Sequence, residues 1–226
     1  MGPVSAREAV LAKVRRALAV GGDESARRRT VEARLENPQP NLIPARGQLD
    51  REGRIALFCA MAEKVSATVR RAERIDDVPI LVAAHLRWHN LPLQIRVGAD
   101  PVLAALPWEK EPHLELLPGA SDGSDAASLS RAFAGVAESG TLVLLSGGDN
   151  PTTLNFLPDT HIVLVRADDI AGDYEAVWRR IRELRLPGTL PRTVNFVTGP
   201  SRSADIEQTL ILGAHGPRAL HVLVVG

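Results

Sequence analysis

Thr141-Leu142-Val143-Leu144-Leu145 and His161-Ile162-Val163-Leu164-Val165 decide how this chain is read. Each is a short apolar run, rich in branched residues and bounded by turn signals. A strand with one wet face alternates apolar and polar residues. An uninterrupted run fits a strand buried on both faces, as in a sheet covered by helices on each side.

Working outward, Leu93-Gln94-Ile95-Arg96-Val97, ended by Gly98, reads as a strand. So do Thr193 to Thr198, Leu220 to Val225, and Pro79-Ile80-Leu81-Val82-Ala83-Ala84. Helical patterns fill the intervals: a long one from residue 51 to about Ala72, another over about 172 to 185, and a third over 203 to 212. Gly-Ala-Ser-Asp-Gly-Ser-Asp-Ala at 119 to 126 has the composition of a flexible loop. The order predicts an α/β domain with an open, mainly parallel sheet and helices on both faces.

Ahead of this lies a different region. Val10, Leu11, Val14, Ala17 and Leu18 recur at helical spacing, predicting an amphipathic helix over 5 to 20 that Gly21-Gly22 ends. A polar stretch with Arg27-Arg28-Arg29 follows, and then the stiff linker Asn37-Pro38-Gln39-Pro40-Asn41-Leu42-Ile43-Pro44. The organisation expected is an N-terminal helical arm with a Pro-rich linker over 1–48 and an α/β domain over 49–226. The arginine run reads as a solvated face or a docking patch.

Composition excludes several classes of function. Lys plus Arg and Asp plus Glu number 27 each, so the formal charge is zero and neither nucleic acid nor an anionic membrane is the expected partner. No apolar run approaches the roughly 20 residues of a membrane span. Arg7, Lys13, Arg15 and Arg16 break the order of a signal peptide, so the expected location is cytoplasmic. The one cysteine, Cys59, sits in the apolar stretch Leu57-Phe58-Cys59-Ala60-Met61 and reads as a buried, inert thiol. One thiolate does not hold an iron–sulfur cluster, which takes four, so the purified chain is expected to be colourless.

Three clusters can carry chemistry. Gly199-Pro200-Ser201-Arg202-Ser203-Ala204-Asp205-Ile206-Glu207 follows a predicted strand and opens a predicted helix. Free N–H groups, two hydroxyls and the Arg202 fork there suit an anion. Ser203, Asp205 and Glu207 also suit plain helix capping, and the two readings coexist. Gly213-Ala214-His215-Gly216-Pro217 places His215 on a loop, as an acid, a base, a donor to ligand oxygen, or a histidine satisfied by loop carbonyls. Ala137-Glu138-Ser139-Gly140-Thr141 puts a carboxylate, a hydroxyl and a glycine just before a buried strand; Glu138 can serve as base, nucleophile, ligand anchor or partner of loop N–H groups. The weaker signals read as structure. His85 and His89 lack a third metal ligand, Ser146 to Pro151 lacks a nucleotide-loop ending, and Trp88, Trp108 and Trp178 are too scattered to stack bases.

Together with Leu-Pro-Asp-Thr-His-Ile-Val-Leu-Val at 157 to 165, these clusters resemble the lactate-utilisation (LUD) domain family, LutC/YkgG type. The likeness is strongest over 127 to 226. Ser203 and Ser139 stand where threonine is commoner in the family. The resemblance implies the fold of the sugar-phosphate isomerase and CoA-transferase superfamily (NagB/RpiA/CoA-transferase-like). It also implies a part in oxidising L-lactate to pyruvate beside iron–sulfur and cysteine-rich partner subunits, with the cofactor unidentified and no metal on this chain. Glu138 and His215 are then the candidate catalytic residues. Thr141, Ser201, Arg202, Ser203, Asp205 and Glu207 are the candidate ligand-binding residues, for a small anion. Glu138, Arg202, Asp205 and His215 are expected to converge. Two alternatives stay open: a self-contained CoA-transferase-like or phosphosugar enzyme using Glu138, by analogy with a glutamate before glycine in that superfamily, and a non-catalytic scaffold.

Overall fold

A computed structural model describes residues 5–18, 24–184, 190–204, 210–213 and 215–226. It divides into two units, Met1–Leu42 and Ile43–Gly226.

The first unit holds α1 (Ala6–Ala17) and α2 (Ser25–Glu36). A capping box starts α1: Glu8 N–H donates to Ser5 Oγ at 3.2 Å, and Ser5 N–H donates to the Glu8 carboxylate at 3.0 Å. Neither helix buries a residue. That is why α2 reads from sequence only as a polar stretch: without a core-facing stripe it leaves no apolar period.

The second unit runs α3 (Arg51–Lys64), β1 (Thr68–Ala72), α4 (Val78–Trp88), β2 (Gln94–Val97), α5 (Pro101–Ala104), β3 (Glu115–Pro118), β4 (Ala127–Arg131), β5 (Ala134–Val136), β6 (Thr141–Leu145), β7 (Thr160–Arg166), β8 (Ile170–Ala171), α6 (Tyr174–Glu183), β9 (Val194–Val197), β10 (Arg202–Ala204), β11 (Leu210–Leu212) and β12 (Ala219–Val225). One sheet has six strands in the order β1-β12-β7-β4-β2-β3, and every pairing in it is parallel. A second sheet has four strands in the order β8-β5-β6-β9, with β6 antiparallel to both neighbours. The α/β class and the mainly parallel sheet are as the sequence predicts.

The period-2 alternation of strands distributes the core. Ile162 and Leu164 of β7 pack with Val78, Val82 and Leu86 of α4. Val163 and Val165 face the other way, into a cluster with Ile55 and Phe58 of α3 and Leu142 and Leu144 of β6. The far side of the smaller sheet packs on Val177 and Ile181 of α6.

Four expectations are corrected. The helix from residue 51 stops at Lys64, and Ser66 takes a left-handed φ of 69° before the chain enters β1. As an edge strand β1 keeps Arg70 and Arg71 exposed, and its polar sequence continues a helical pattern until its partner β12 is known. Residues 79–84 are not a strand but part of α4. Pro79 sits in the first turn, where a missing N–H goes unused, and Val78, Val82, Ala83 and Leu86 bury one helical face. No helix starts at Ser203: Arg202–Ala204 and Leu210–Leu212 are antiparallel strands, in register Arg202 to Leu212. The local pattern there imitates a cap, while the pairing that decides the matter is six to ten residues away. Lastly, β6 belongs to the antiparallel sheet; both its faces are buried because it lies between the shared core and the α6 core.

Candidate functional site

A cavity of about 420 Å³ brings Ser201, Arg202 and His215 together with Val65, Asn155, Phe156, Phe196, Thr198 and Pro217. Its position differs from the usual one. Val65 precedes β1, Phe156 precedes β7 and Pro217 precedes β12, so the cavity opens at the amino ends of the parallel strands. Open α/β sheets more often bind ligands at the carboxyl ends. β9, of the smaller sheet, points its carboxyl end here through Thr198, and β11 leads here to His215.

Backbone bonds frame the cavity. Ser201 N–H donates to the Pro217 carbonyl at 2.8 Å, and the Ser201 carbonyl accepts from Gly213 N–H at 3.1 Å. His215 N–H reaches Ser201 Oγ at 3.4 Å. Arg202 donates an N–H of Nη2 to the Val65 carbonyl. Gly199 has φ +77°, and a Cβ there would lie 2.4 Å from that same carbonyl oxygen, so only glycine lets the chain pass. Arg202 and His215 are exposed.

Asn155 forms the floor. It is 1% exposed, and its Oδ1 lies 3.4 Å from Ser130 Oγ, which lies 3.1 Å from His161 Nε2. Its Nδ2 is enclosed without a partner, as is His161 Nδ1. Burial drives the His161 pKa down to about 3, so the ring is neutral, and Ser130 links it to the Asn155 amide.

A second polar cluster stands behind the cavity wall. Ser139 Oγ is 2.7 Å from Thr141 Oγ1 and 2.9 Å from Tyr174 Oη; Thr141 Oγ1 is 2.9 Å from Tyr174 Oη and 2.7 Å from Thr198 Oγ1. Thr141, expected as a ligand contact, is thus fully buried and meets the cavity only through Thr198.

Glu138 does not line this cavity. It is 4% exposed, accepts Tyr174 N–H at 3.3 Å, and has Arg46 Nε at 3.9 Å. It therefore sits beside Asp173 at the start of α6, where a carboxylate is favoured by the helix dipole. Next to it Gly140 has φ +67°, and a Cβ would lie 2.3 Å from Ala62 N. The expected convergence holds for Arg202 and His215, not for Glu138. Asp205 and Glu207 lie outside the described residues, as does the side chain of Ser203. Sequence reading missed Asn155, Phe156 and Tyr174. Thr198, one residue before the Gly199 motif, carried the one signal that adjacency gives.

The remaining candidates read as structure. His85 stacks on His221 at 3.9 Å, and His221 Nδ1 lies 2.7 Å from Thr68 Oγ1. Burial and the neighbouring His89 lower His85 to about 4; burial, then His85, His89 and Arg70, lower His221 to about 3. Among the described residues no group of three or more His, Cys, Asp or Glu is placed to hold a metal. Cys59 is half-buried and its thiol pKa is raised, chiefly by burial. No described helix is long and apolar enough to cross a membrane.

Comparison with known proteins places this geometry. The LUD domain family matches residues 124–225, a span that contains all four signature stretches. Lactate utilization protein C of Bacillus subtilis (strain 168) is 31% identical over 173 residues, covering 74% of this chain and 68% of that protein. The chain belongs to the LUD domain family of the lactate utilization protein C type. Lactate utilization protein C of Anoxybacillus flavithermus is 41% identical over 90 residues, 39% of each chain. That of Geobacillus thermodenitrificans is 37% identical over 107 residues, 46% of this chain and 45% of the relative. These two alignments thus span less than half of the relatives' own length. A crystal structure of a DUF162 family protein from Deinococcus radiodurans aligns with TM-score 0.57 at 23% identity, over 79% of this chain and 99% of that one, which shows a shared fold.

Proposed function

We propose that this chain is a component of an L-lactate oxidation system, and that the cavity at Ser201, Arg202 and His215 binds a small carboxylate. The relatives are named for lactate utilization. The observation that carries the binding reading is the meeting on one cavity of two signature stretches, one giving Ser201 and Arg202 and the other His215. A guanidinium has five N–H donors; Arg202 gives one to Val65 among the described residues, and a carboxylate can take a fork of the others. Ser201 Oγ and the His215 ring stand beside it.

Oxidising lactate to pyruvate removes two electrons and two protons. With a single cysteine the chain does not supply the thiolates of a cluster. Iron–sulfur and cysteine-rich partner subunits are therefore proposed to take the electrons, with this chain positioning the substrate or the partners.

Calorimetric titration of L-lactate into the purified chain tests the binding. We expect saturable heat, lost in Arg202→Met; a flat titration overturns the carboxylate reading. Isolation of the tagged chain from its native host tests the assembly: absence of iron–sulfur absorbance in the complex overturns the partners.

A further inference from the structure

The four-hydroxyl cluster behind the cavity has a proton count that fixes its direction. Each hydroxyl donates one proton and accepts with two lone pairs. Ser139, Thr141 and Tyr174 are mutually in contact, and Thr141 also contacts Thr198, at 2.7 to 2.9 Å throughout. Four contacts need four protons, which is what the four groups hold. The three-membered ring uses one from each of its members. The contact between Thr141 and Thr198 is then served by Thr198. Were Thr141 to donate outward instead, one pair of oxygens in the ring would face each other without a proton. Thr141 is fully buried and Ser139 and Tyr174 are partly buried, so water has little access to that pair.

Thr198 is exposed and lines the cavity. With its proton turned inward, it meets a ligand with lone pairs. We propose that Thr198 is a specificity residue: it makes the cavity prefer a carboxylate that also carries a hydroxyl donor, a hydroxy acid, over the corresponding keto acid. This rests on the reading of the cavity as a carboxylate site. Arg202 supplies donors for the carboxylate, and Thr198 supplies an acceptor for the hydroxyl. A keto oxygen offers only lone pairs, so it engages Thr198 only if the Thr198 proton swings out and one inner contact is lost. One neutral hydrogen bond gained or lost is about five- to tenfold in affinity.

The test compares L-lactate, pyruvate and propionate, titrated into the full chain and into two variants. Propionate keeps the carboxylate and lacks both the hydroxyl and the keto oxygen. The wild-type chain is expected to bind L-lactate about five- to tenfold tighter than the other two. In Thr198→Val the preference collapses through weaker lactate binding, while propionate affinity holds; the position is exposed, and circular dichroism checks the fold. Thr141→Val removes the inward acceptor and frees the Thr198 proton, so pyruvate gains on lactate. Equal affinity of the wild type for all three ligands overturns this inference and leaves the carboxylate reading standing. So does an unchanged preference in Thr198→Val. If none of the three binds, the carboxylate reading itself fails, and this inference with it.

Discussion

In the six-stranded sheet, β7 sends Ile162 and Leu164 into one core and Val163 and Val165 into the other. In the four-stranded sheet, β6 sends Leu142 and Leu144 into one of those same cores, but on its second face a hydroxyl, Thr141, stands two residues before Val143. Both strands read as unbroken apolar runs. Beyond His161, whose ring is linked through Ser130 to Asn155 on the cavity floor, the first is sealed on each side and serves stability. The second carries one polar atom on its α6 face, and that atom joins a chain of hydroxyls ending at the cavity. Rigidity and recognition are thus divided between two sheets that share a core, and a substitution should reveal which sheet it touches.

The largest effect belongs to the sealed sheet. Leu164 is fully buried between β7 and α4. Leu164→Ala is expected to cost about 2–5 kcal/mol, the transfer energy plus the cavity left behind. Urea unfolding measures it. Lactate affinity of the folded fraction should not change; if it does, the division between the sheets fails.

The parallel sheet also hides titratable groups. His161 on β7 and His221 on β12 are held to about 3, with burial the main cause. Both are neutral in the folded chain at pH 5, whereas the unfolded chain protonates them near 6.5. The unfolded state therefore binds more protons, and stability falls as pH drops from about 6.5 towards 3. Each histidine contributes a slope of up to about 1.4 kcal/mol per pH unit in that window. Unfolding at pH 7, 6 and 5 should show the loss, and His221→Asn should flatten it by one proton. Equal stability at the three pH values would contradict neutral histidines in this sheet.

What the sequence discloses follows the same division. The strands β7 and β12, the helix α6 and the class of the sheet are legible because burial on both faces leaves an unmistakable apolar run, and a one-sided helix leaves a period. The strand β1 and the pair β10–β11 are not. Their identity lies in partners far along the chain: Thr68–Ala72 against His221–Val225, and Arg202 against Leu212. α4 was misread because a short apolar run fits helix and strand alike. In the site, Ser201, Arg202 and His215 are visible as motif residues. Asn155 and Tyr174 are not, since an isolated asparagine or tyrosine carries no period and acquires its role only when β4, β6 and β9 come alongside.

The smallest stability effect sharpens the comparison from the other side. Ser201 holds its place through its backbone: its N–H donates to Pro217 and its carbonyl accepts from Gly213. Both bonds survive Ser201→Ala. The side chain contributes one long contact from His215 N–H, at 3.4 Å, to a partly exposed oxygen, and water can replace it. Unfolding free energy should therefore shift by less than about 1 kcal/mol. Ligand binding should respond differently, because a hydroxyl beside Arg202 in a half-enclosed cavity has few substitutes. Lactate affinity is expected to fall by about five- to tenfold, the equivalent of one neutral hydrogen bond. Measured on one preparation, thermal unfolding and calorimetric titration should separate cleanly for this variant. They should be reversed for Leu164→Ala, where stability is lost and affinity retained. If Ser201→Ala lowers both together, the loop frame depends on the hydroxyl after all, and the Gly-Pro-Ser-Arg motif is a folding element rather than a recognition element.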